Sequence, residues 1–205
     1  TSVGMAIASR WLASHYTKPG FPLFDNRIYV LCSDGDLMEG ISSEAASIAG
    51  HLKLSNLCWI YDDNHITIEG NTSLAFSEDV AGRFQAMGWN VARVADANDL
   101  EALREALGGV RSADRPTLVI VRSHIAFGSP NMQDSHEAHG APLGEEEIRL
   151  TKRAYGWPED QHFLVPEPVL ADFRNSIGER GRCLSQQWYA RLSEYRQQYP
   201  QLAEQ

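Results

Sequence analysis

Short apolar runs alternating with stretches of helical periodicity constrain this chain more than any other feature. Arg27 to Cys32 (RIYVLC), Leu57 to Tyr61 (LCWIY), Trp89 to Val94 and Thr117 to Val121 are brief and rich in β-branched and aromatic residues, as buried strands are. Between them, Ile41, Ala45, Ile48 and Leu52 mark one face of a helix, and Asp79 to Met87 reads as another. Leu100, Leu103, Leu107 and Val110 share a stripe, with Asp99 as its expected N-cap. Ahead of them all, Val3, Ile7 and Trp11 recur at helical spacing until Lys18-Pro19-Gly20 breaks the run. Strands and helices in alternation imply βαβ units, hence an α/β fold with a doubly wound, mostly parallel sheet and helices on both faces. Such sheets bind ligands in the crevice beyond the carboxyl ends of their strands. The loops to inspect therefore follow Cys32, Tyr61 and Val121. The last opens a segment from Ser123 to Gly144, rich in His, Gly, Pro and Asn; so long a loop in a compact domain is usually functional. The remainder is expected to be helical, with Leu184, Trp188, Leu192, Tyr195 and Tyr199 as a stripe packed on the domain.

Composition narrows the partners. At 205 residues and 43% hydrophobic the chain is expected to form a single domain over 1–205, with 145–205 as a helical extension. A net charge of -9 argues against nucleic acid bound through its phosphates. No apolar run has the length of a spanning helix and no signal-peptide pattern opens the chain, so no membrane partner and a cytoplasmic location are expected. Cys32, Cys58 and Cys183 are too sparse for a disulfide framework or a zinc site and read as free thiols. The chain opens on Thr1 directly in a helical pattern, and is expected to be N-terminally incomplete.

Ser33-Asp34-Gly35-Asp36-Leu37-Met38-Glu39-Gly40 follows the first strand and opens a helix. Asp34 would stand at that strand's carboxyl end, and Gly35 would let a ligand approach the backbone closely. A helix N-terminus there offers N–H donors to a phosphate. A carboxylate beside a phosphate needs a cation between them, and Mg2+ is usually held by one or two carboxylates plus phosphate oxygens. The segment fails the EF-hand pattern at Met38 and Glu39, and it lacks the Gly-Lys-Ser/Thr of a P-loop. A plain Asp-Gly turn with an acidic helix start remains the competing reading of this octapeptide alone. The second loop, Asp62-Asp63-Asn64-His65-Ile66, favours the site: Asn64 lies thirty residues after Asp34, the spacing that returns a βαβ unit to the same sheet edge. There Asn64 can offer an amide oxygen and Ile66 a main-chain carbonyl to the same cation.

An Asp-Gly pair followed some thirty residues later by Asn resembles the thiamine-diphosphate signature. The surrounding LMEGISSEAASIAGHLKLSNLCWIYDDNHITIEG is similar to transketolases in particular. The resemblance continues through SEDVAGRFQAMGWNV and PTLVIVRSHIAFGSPN to HEAHGAPLG. It implies the diphosphate-binding domain of a dimeric enzyme of the pentose phosphate pathway, moving a two-carbon ketol unit between sugar phosphates. It implies that Asp34, Asn64 and Ile66 ligate Mg2+ (or Ca2+), that Gly35 contacts the diphosphate, and that Ile125 packs against the cofactor. His139 would contact both the diphosphate and the sugar substrate as a catalytic residue, whereas His124 and His136 carry no such implication. Glu39 and Glu44 resemble acids at the family's dimer interface; as bare sequence they are helix-start acids favoured by the dipole. Ser33 stands where the family usually has glycine, which would strain the turn only if φ there is positive. The glutamate that activates the cofactor has no counterpart here, so the remaining domains or a complementary subunit would have to supply it. Two alternatives are a binding fragment inactive by itself, and a related enzyme such as a 2-oxoacid dehydrogenase subunit or a deoxyxylulose-phosphate synthase.

Overall fold

A computed structural model describes residues 1–205. They form two compact units, Thr1–Ile7 with Arg27–Glu159 and Ala8–Asn26 with Asp160–Gln205. Helix α1 (Ser2–Tyr16) contributes its first turns to one unit and its remainder to the other.

The first unit is built on β1 (Ile28–Ser33), α2 (Asp34–Met38), α3 (Gly40–His51) and β2 (Leu57–Asp63). A two-stranded ribbon of β3 (Ile66–Thr67) and β4 (Gly70–Asn71) follows. Next come α4 (Val80–Ala86), β5 (Asn90–Val94), α5 (Leu100–Gly109), β6 (Thr117–Arg122) and α6 (Glu145–Ala154). The main sheet has the order β1-β2-β6-β5 and every pairing is parallel. Ser33 pairs with Asp62, and Asp62 with Val121, so the three loops singled out in the sequence leave from one edge.

Side chains of the central strand alternate between two cores, as the period of two requires. Leu57, Trp59 and Tyr61 join Leu37, Ala46 and Phe84 on one face; Cys58 joins Val94, Val110 and Val119 on the other. On the first face Trp59, Phe84 and Trp89 form a ring cluster with centroids 5.1–5.8 Å apart. Trp89 Nε1 donates to the Ala46 carbonyl at 2.8 Å, so its polar atom is satisfied where it is buried. Asp99 caps α5 as expected, accepting from the Ala102 N–H at 3.0 Å, and Asp79 caps α4 in the same way. All three cysteines are free, and burial pushes the Cys32 thiol up to about 12 and Cys58 to about 11.

Three apolar stripes differ from expectation. β1 is not a buried strand: it lies at the sheet edge, with Ile28, Val30 and Cys32 against the core while Leu31 is 81% exposed. On α3 the face toward the core is Ala46, Ala49 and Gly50, and the larger Ile41, Ile48 and Leu52 point outward, Ile41 at 69% exposure. Small residues let that helix lie closer to the chain at Met87 and Trp89 than an isoleucine face would allow. On α1, Val3 and Ala6 are buried, whereas Ile7 and Trp11 are exposed.

The second unit continues after residue 160 with α7 (Glu167–Phe173), a π turn (Arg174–Gly178), α8 (Glu179–Gln198) and α9 (Pro200–Glu204). Its core is Phe21, Leu23 and Tyr195, flanked by Phe24, Leu192 and Tyr199. Tyr195 donates to the Tyr16 carbonyl at 2.8 Å and Trp188 Nε1 to that of Leu23 at 3.0 Å. The expected tail stripe thus packs from Trp188 onward, while Leu184 is exposed. No helix is long and apolar enough to cross a membrane.

Candidate functional site

Ser33 closes β1 in an extended conformation, φ -128° and ψ -174°, which any residue adopts. Serine is therefore unstrained there. Its hydroxyl donates to the Asp62 carbonyl on the neighbouring strand at 3.3 Å, and its N–H donates to Asp36 Oδ2 at 2.9 Å. The helix that begins at Asp34 is a single short turn broken at Glu39, and the longer helix starts only at Gly40. The macrodipole expected from the sequence is correspondingly small, leaving individual N–H groups as the anion donors.

Asp34 is 1% exposed. Its Oδ1 accepts from the Tyr61 hydroxyl at 2.5 Å, and its Oδ2 is buried with no hydrogen-bond partner. Burial pushes this carboxyl above its ordinary range; the Tyr61 bond opposes the shift and the nearby Asp63 charge adds to it. The Tyr61 hydroxyl also lies 3.2 Å from Asp63 Oδ1, which in turn lies 3.1 Å from His65 Nε2. Asn64, buried at the end of β2, accepts at Oδ1 from the Ile66 N–H at 2.9 Å and donates through Nδ2 to Asp62 at 3.4 Å. His65 has φ +64° and reverses the chain into the ribbon, turning Ile66 back beside Asn64.

A cleft of about 420 Å³ opens on this edge, lined by Ser33, Gly35, Asp36, Ile66, Thr67 and His139. A Cβ placed on Gly35 would meet no atom within 4 Å, so the main chain is bare there. A smaller cavity of about 160 Å³ is lined by Asp34, Tyr61, Asp63, His65 and Arg93. The structure thus gathers Gly35, Ile66 and His139 on the larger cleft, while Asp34 lines the smaller cavity and Asn64, buried one residue past β2, lines neither. Ile125 follows β6, half-buried, and is not among the residues lining that cleft. His124 is held by Asp134, with Nδ1 2.9 Å from both carboxylate oxygens, and His136 sits exposed in a 3-10 turn. Glu39 stands at the start of α3, as expected, though without a side-chain cap bond, whereas Glu44 lies past the first turn; both are exposed.

No three His, Cys, Asp or Glu side chains are grouped for a metal. The set drawn from the sequence is of another kind: one carboxylate, one amide oxygen and one main-chain carbonyl. These hard oxygen donors suit Mg2+, and the orphaned Asp34 Oδ2 is the atom such a cation would satisfy. Tyr61 escaped the sequence reading because it sits inside an apolar run; only the register Cys32–Tyr61 brings it beside Asp34.

Ala126, in the loop after β6, has φ +50°, a left-handed conformation that disfavours a Cβ. Ala126→Gly relieves a left-handed penalty of about 1–2 kcal/mol and the freer unfolded chain takes back about 0.4–1, so a net gain of roughly 0.5–1 kcal/mol is expected. Denaturant unfolding that showed a loss would contradict this.

The model of the family described as transketolase, thiamine diphosphate binding domain, matches residues 1–205. The chain belongs to the transketolase family. It is 47% identical over 205 residues to the transketolase of Geobacillus stearothermophilus, covering 100% of this chain and 31% of that one. With the transketolase of Aquifex aeolicus it shares 46% over 203 residues, 99% of this chain and 29% of the other. Among solved structures, transketolase from Leishmania mexicana superposes with a TM-score of 0.95 at 38% identity, over 99% of this chain and 30% of that one. The Pichia stipitis enzyme in complex with sedoheptulose-7-phosphate gives 0.95 at 41%, with the same coverage. This chain therefore spans less than a third of the length of these relatives.

Proposed function

We propose that this chain is the diphosphate-gripping domain of a transketolase, which transfers a two-carbon ketol unit from a ketose phosphate to an aldose phosphate with thiamine diphosphate. The observation that carries the reading is Asp34: a buried carboxylate on the wall of the smaller cavity, one oxygen unpartnered, in a family whose model is described by that cofactor. Its charge is stable in such a place only with a cation.

In this reading Asp34 gives a carboxylate oxygen to Mg2+ (Ca2+ is the other hard cation that suits the set), Asn64 its amide oxygen and Ile66 its main-chain carbonyl. Gly35, with no side chain to obstruct it, offers its N–H to the diphosphate. Ile125 packs against the cofactor, and His139 on the cleft wall hydrogen-bonds the diphosphate and the sugar. Bound thiamine diphosphate supplies the carbanion on which the carbon–carbon chemistry depends. The residues here bind, orient and neutralise charge; proton removal from the cofactor falls to a group outside this chain. Residues 1–205 act as one functional domain within a longer polypeptide or beside a complementary subunit. The assembly is a homodimer in the cytoplasm, serving the pentose phosphate pathway, with Glu39 and Glu44 facing the partner.

The test is transfer between a ketose phosphate and an aldose phosphate, assayed with and without thiamine diphosphate and Mg2+. The full-length protein is expected to turn over only with both, and the 205-residue chain alone not at all. Preferential turnover of pyruvate, or full activity without the cofactor, would overturn the assignment.

A further inference from the structure

The loop that follows β6 has no regular structure until the 3-10 turn at His136–Ala138, yet it is gripped from one side by α6. Glu147, in the first turn of that helix, is 9% exposed. Its Oε1 accepts from the Ser129 hydroxyl and, at 2.9 Å, from the Asn131 N–H, while its Oε2 accepts from Asn131 Nδ2 at 2.8 Å. Three donors converge on an acceptor-only group, and the Ser129 bond foremost, then those of Asn131, hold the carboxyl below its usual range. At the other end of α6, the Tyr155 hydroxyl donates to the Phe127 carbonyl. Gly128 lies between the two grips at φ +81°, where a Cβ would come within 2.8 Å of the Tyr155 ring.

The held segment ties directly to Ile125 and Ala126. Buried Ser129 donates its N–H to the Ala126 carbonyl at 2.9 Å, and Asp134 donates its own to Ile125 at 3.0 Å. None of these loop residues belongs to either core of the unit. Releasing them should loosen the loop before it loosens the sheet.

We propose that Glu147 is a positioning residue for the cofactor site: it holds the Ser129–Asn131 segment, whose Ser129 N–H grips Ala126 and so fixes the turn that carries Ile125, without itself touching cofactor or substrate. This rests on the reading above that Ile125 packs against thiamine diphosphate. Replacing the carboxylate by an amide removes the charge from all three bonds and obliges the Asn131 amide to turn over to accept from the new N–H2, whereas Asn131→Asp sets two carboxylates face to face. Made together, the two changes restore one acceptor-only and one mixed partner in reversed roles.

The experiment measures thiamine diphosphate affinity by calorimetry, in Mg2+ buffer, on the full-length protein. Glu147→Gln and Asn131→Asp are each expected to weaken binding about 10-fold or more, as loss of an outer partner typically does. The double variant should recover to within about threefold of the parent, the coupling expected of residues in contact. The melting temperature without cofactor and kcat at saturating cofactor should barely move. Ser129→Ala, which removes one donor and keeps the ion, should give an intermediate loss even if a single variant folds poorly. Single variants that bind as the parent does, or a double variant as weak as both losses combined, would overturn the proposal alone. A parent protein with no affinity for thiamine diphosphate would overturn the cofactor reading first, and this proposal with it.

Discussion

Asp34→Asn is expected to make the protein more heat-stable in metal-free buffer while removing its metal-dependent binding of thiamine diphosphate. Asp34 is buried, one of its oxygens has no partner, and burial raises its pKa above the ordinary value of 3.8. The folded state therefore holds the Asp34 proton more tightly than the unfolded state does. As pH rises from below 3.8 through the folded value, ionisation subtracts stability, and at neutral pH the whole penalty is present. An amide of the same shape carries no charge and keeps the oxygen that accepts from Tyr61. The stability gap between variant and parent should close as pH falls below the unfolded value, where the parent's carboxyl is neutral too. With Mg2+ and cofactor the ranking should reverse. A ligand at about a hundred times its Kd stabilises by about 2.7 kcal/mol, and only the parent retains the carboxylate that binds the cation. The loss of affinity should exceed the ~10–100-fold typical of an outer partner. A variant that melts lower than the parent without metal, yet is still stabilised by Mg2+ and cofactor, would sink both arguments.

What made Asp34 visible in the sequence was topology. A βαβ unit returns to the same sheet edge, so an Asp-Gly after one strand and an Asn after the next converge without any knowledge of side-chain packing. The strands were legible for a similar reason: LCWIY and TLVIV are apolar on both faces, and only a central strand needs that. The helices were legible in extent. On α5 orientation was legible too, since Leu103, Leu107 and Val110 of the expected stripe pack on the sheet and only Leu100 is exposed; on α1 and α3 it was not. On α3 the isoleucine stripe and the Ala-Gly stripe are both apolar, and periodicity ranks the larger residues first. The inward face is decided by how close the neighbouring chain comes, which no one-dimensional pattern carries. The outward face of β1 escaped for a related reason, because an edge strand and a central strand share the same β-branched composition. Tyr61 and Glu147 lay further out of reach. One is an aromatic in an apolar strand, the other the third acid in a Glu-Glu-Glu helix start, and each acquires its role only from a partner fixed by register or by loop shape.

The α3 packing leads to a prediction on which sequence and structure give opposite signs. Gly50 lies near the end of that helix, where propensity alone says that alanine would stabilise by about 1 kcal/mol. A Cβ built on Gly50, however, falls 1.8 Å from the Met87 carbonyl oxygen and 2.9 Å from its carbon. Neither is the free end of a flexible side chain. Met87 ends α4, and two residues on Trp89 is fixed by its bond to Ala46 and by packing on Trp59 and Phe84. Relief of the clash has to push the end of α4 away from α3 and disturb the packing of Trp89 in this ring cluster. Overpacking of that kind typically costs about 1–3 kcal/mol; with backbone as the obstacle, Gly50→Ala is expected at or above the top of that range. Gly108→Ala is the matched control: it too is helical, a Cβ there meets nothing within 4 Å, and it should gain up to about 1 kcal/mol. Denaturant unfolding of the two variants separates the arguments. If both are stabilised, the close approach of α3 to Met87 is not a feature of the folded protein. If Gly50→Ala alone is destabilised, the small-residue face of α3 is there because the backbone beneath it leaves no space for a methyl group.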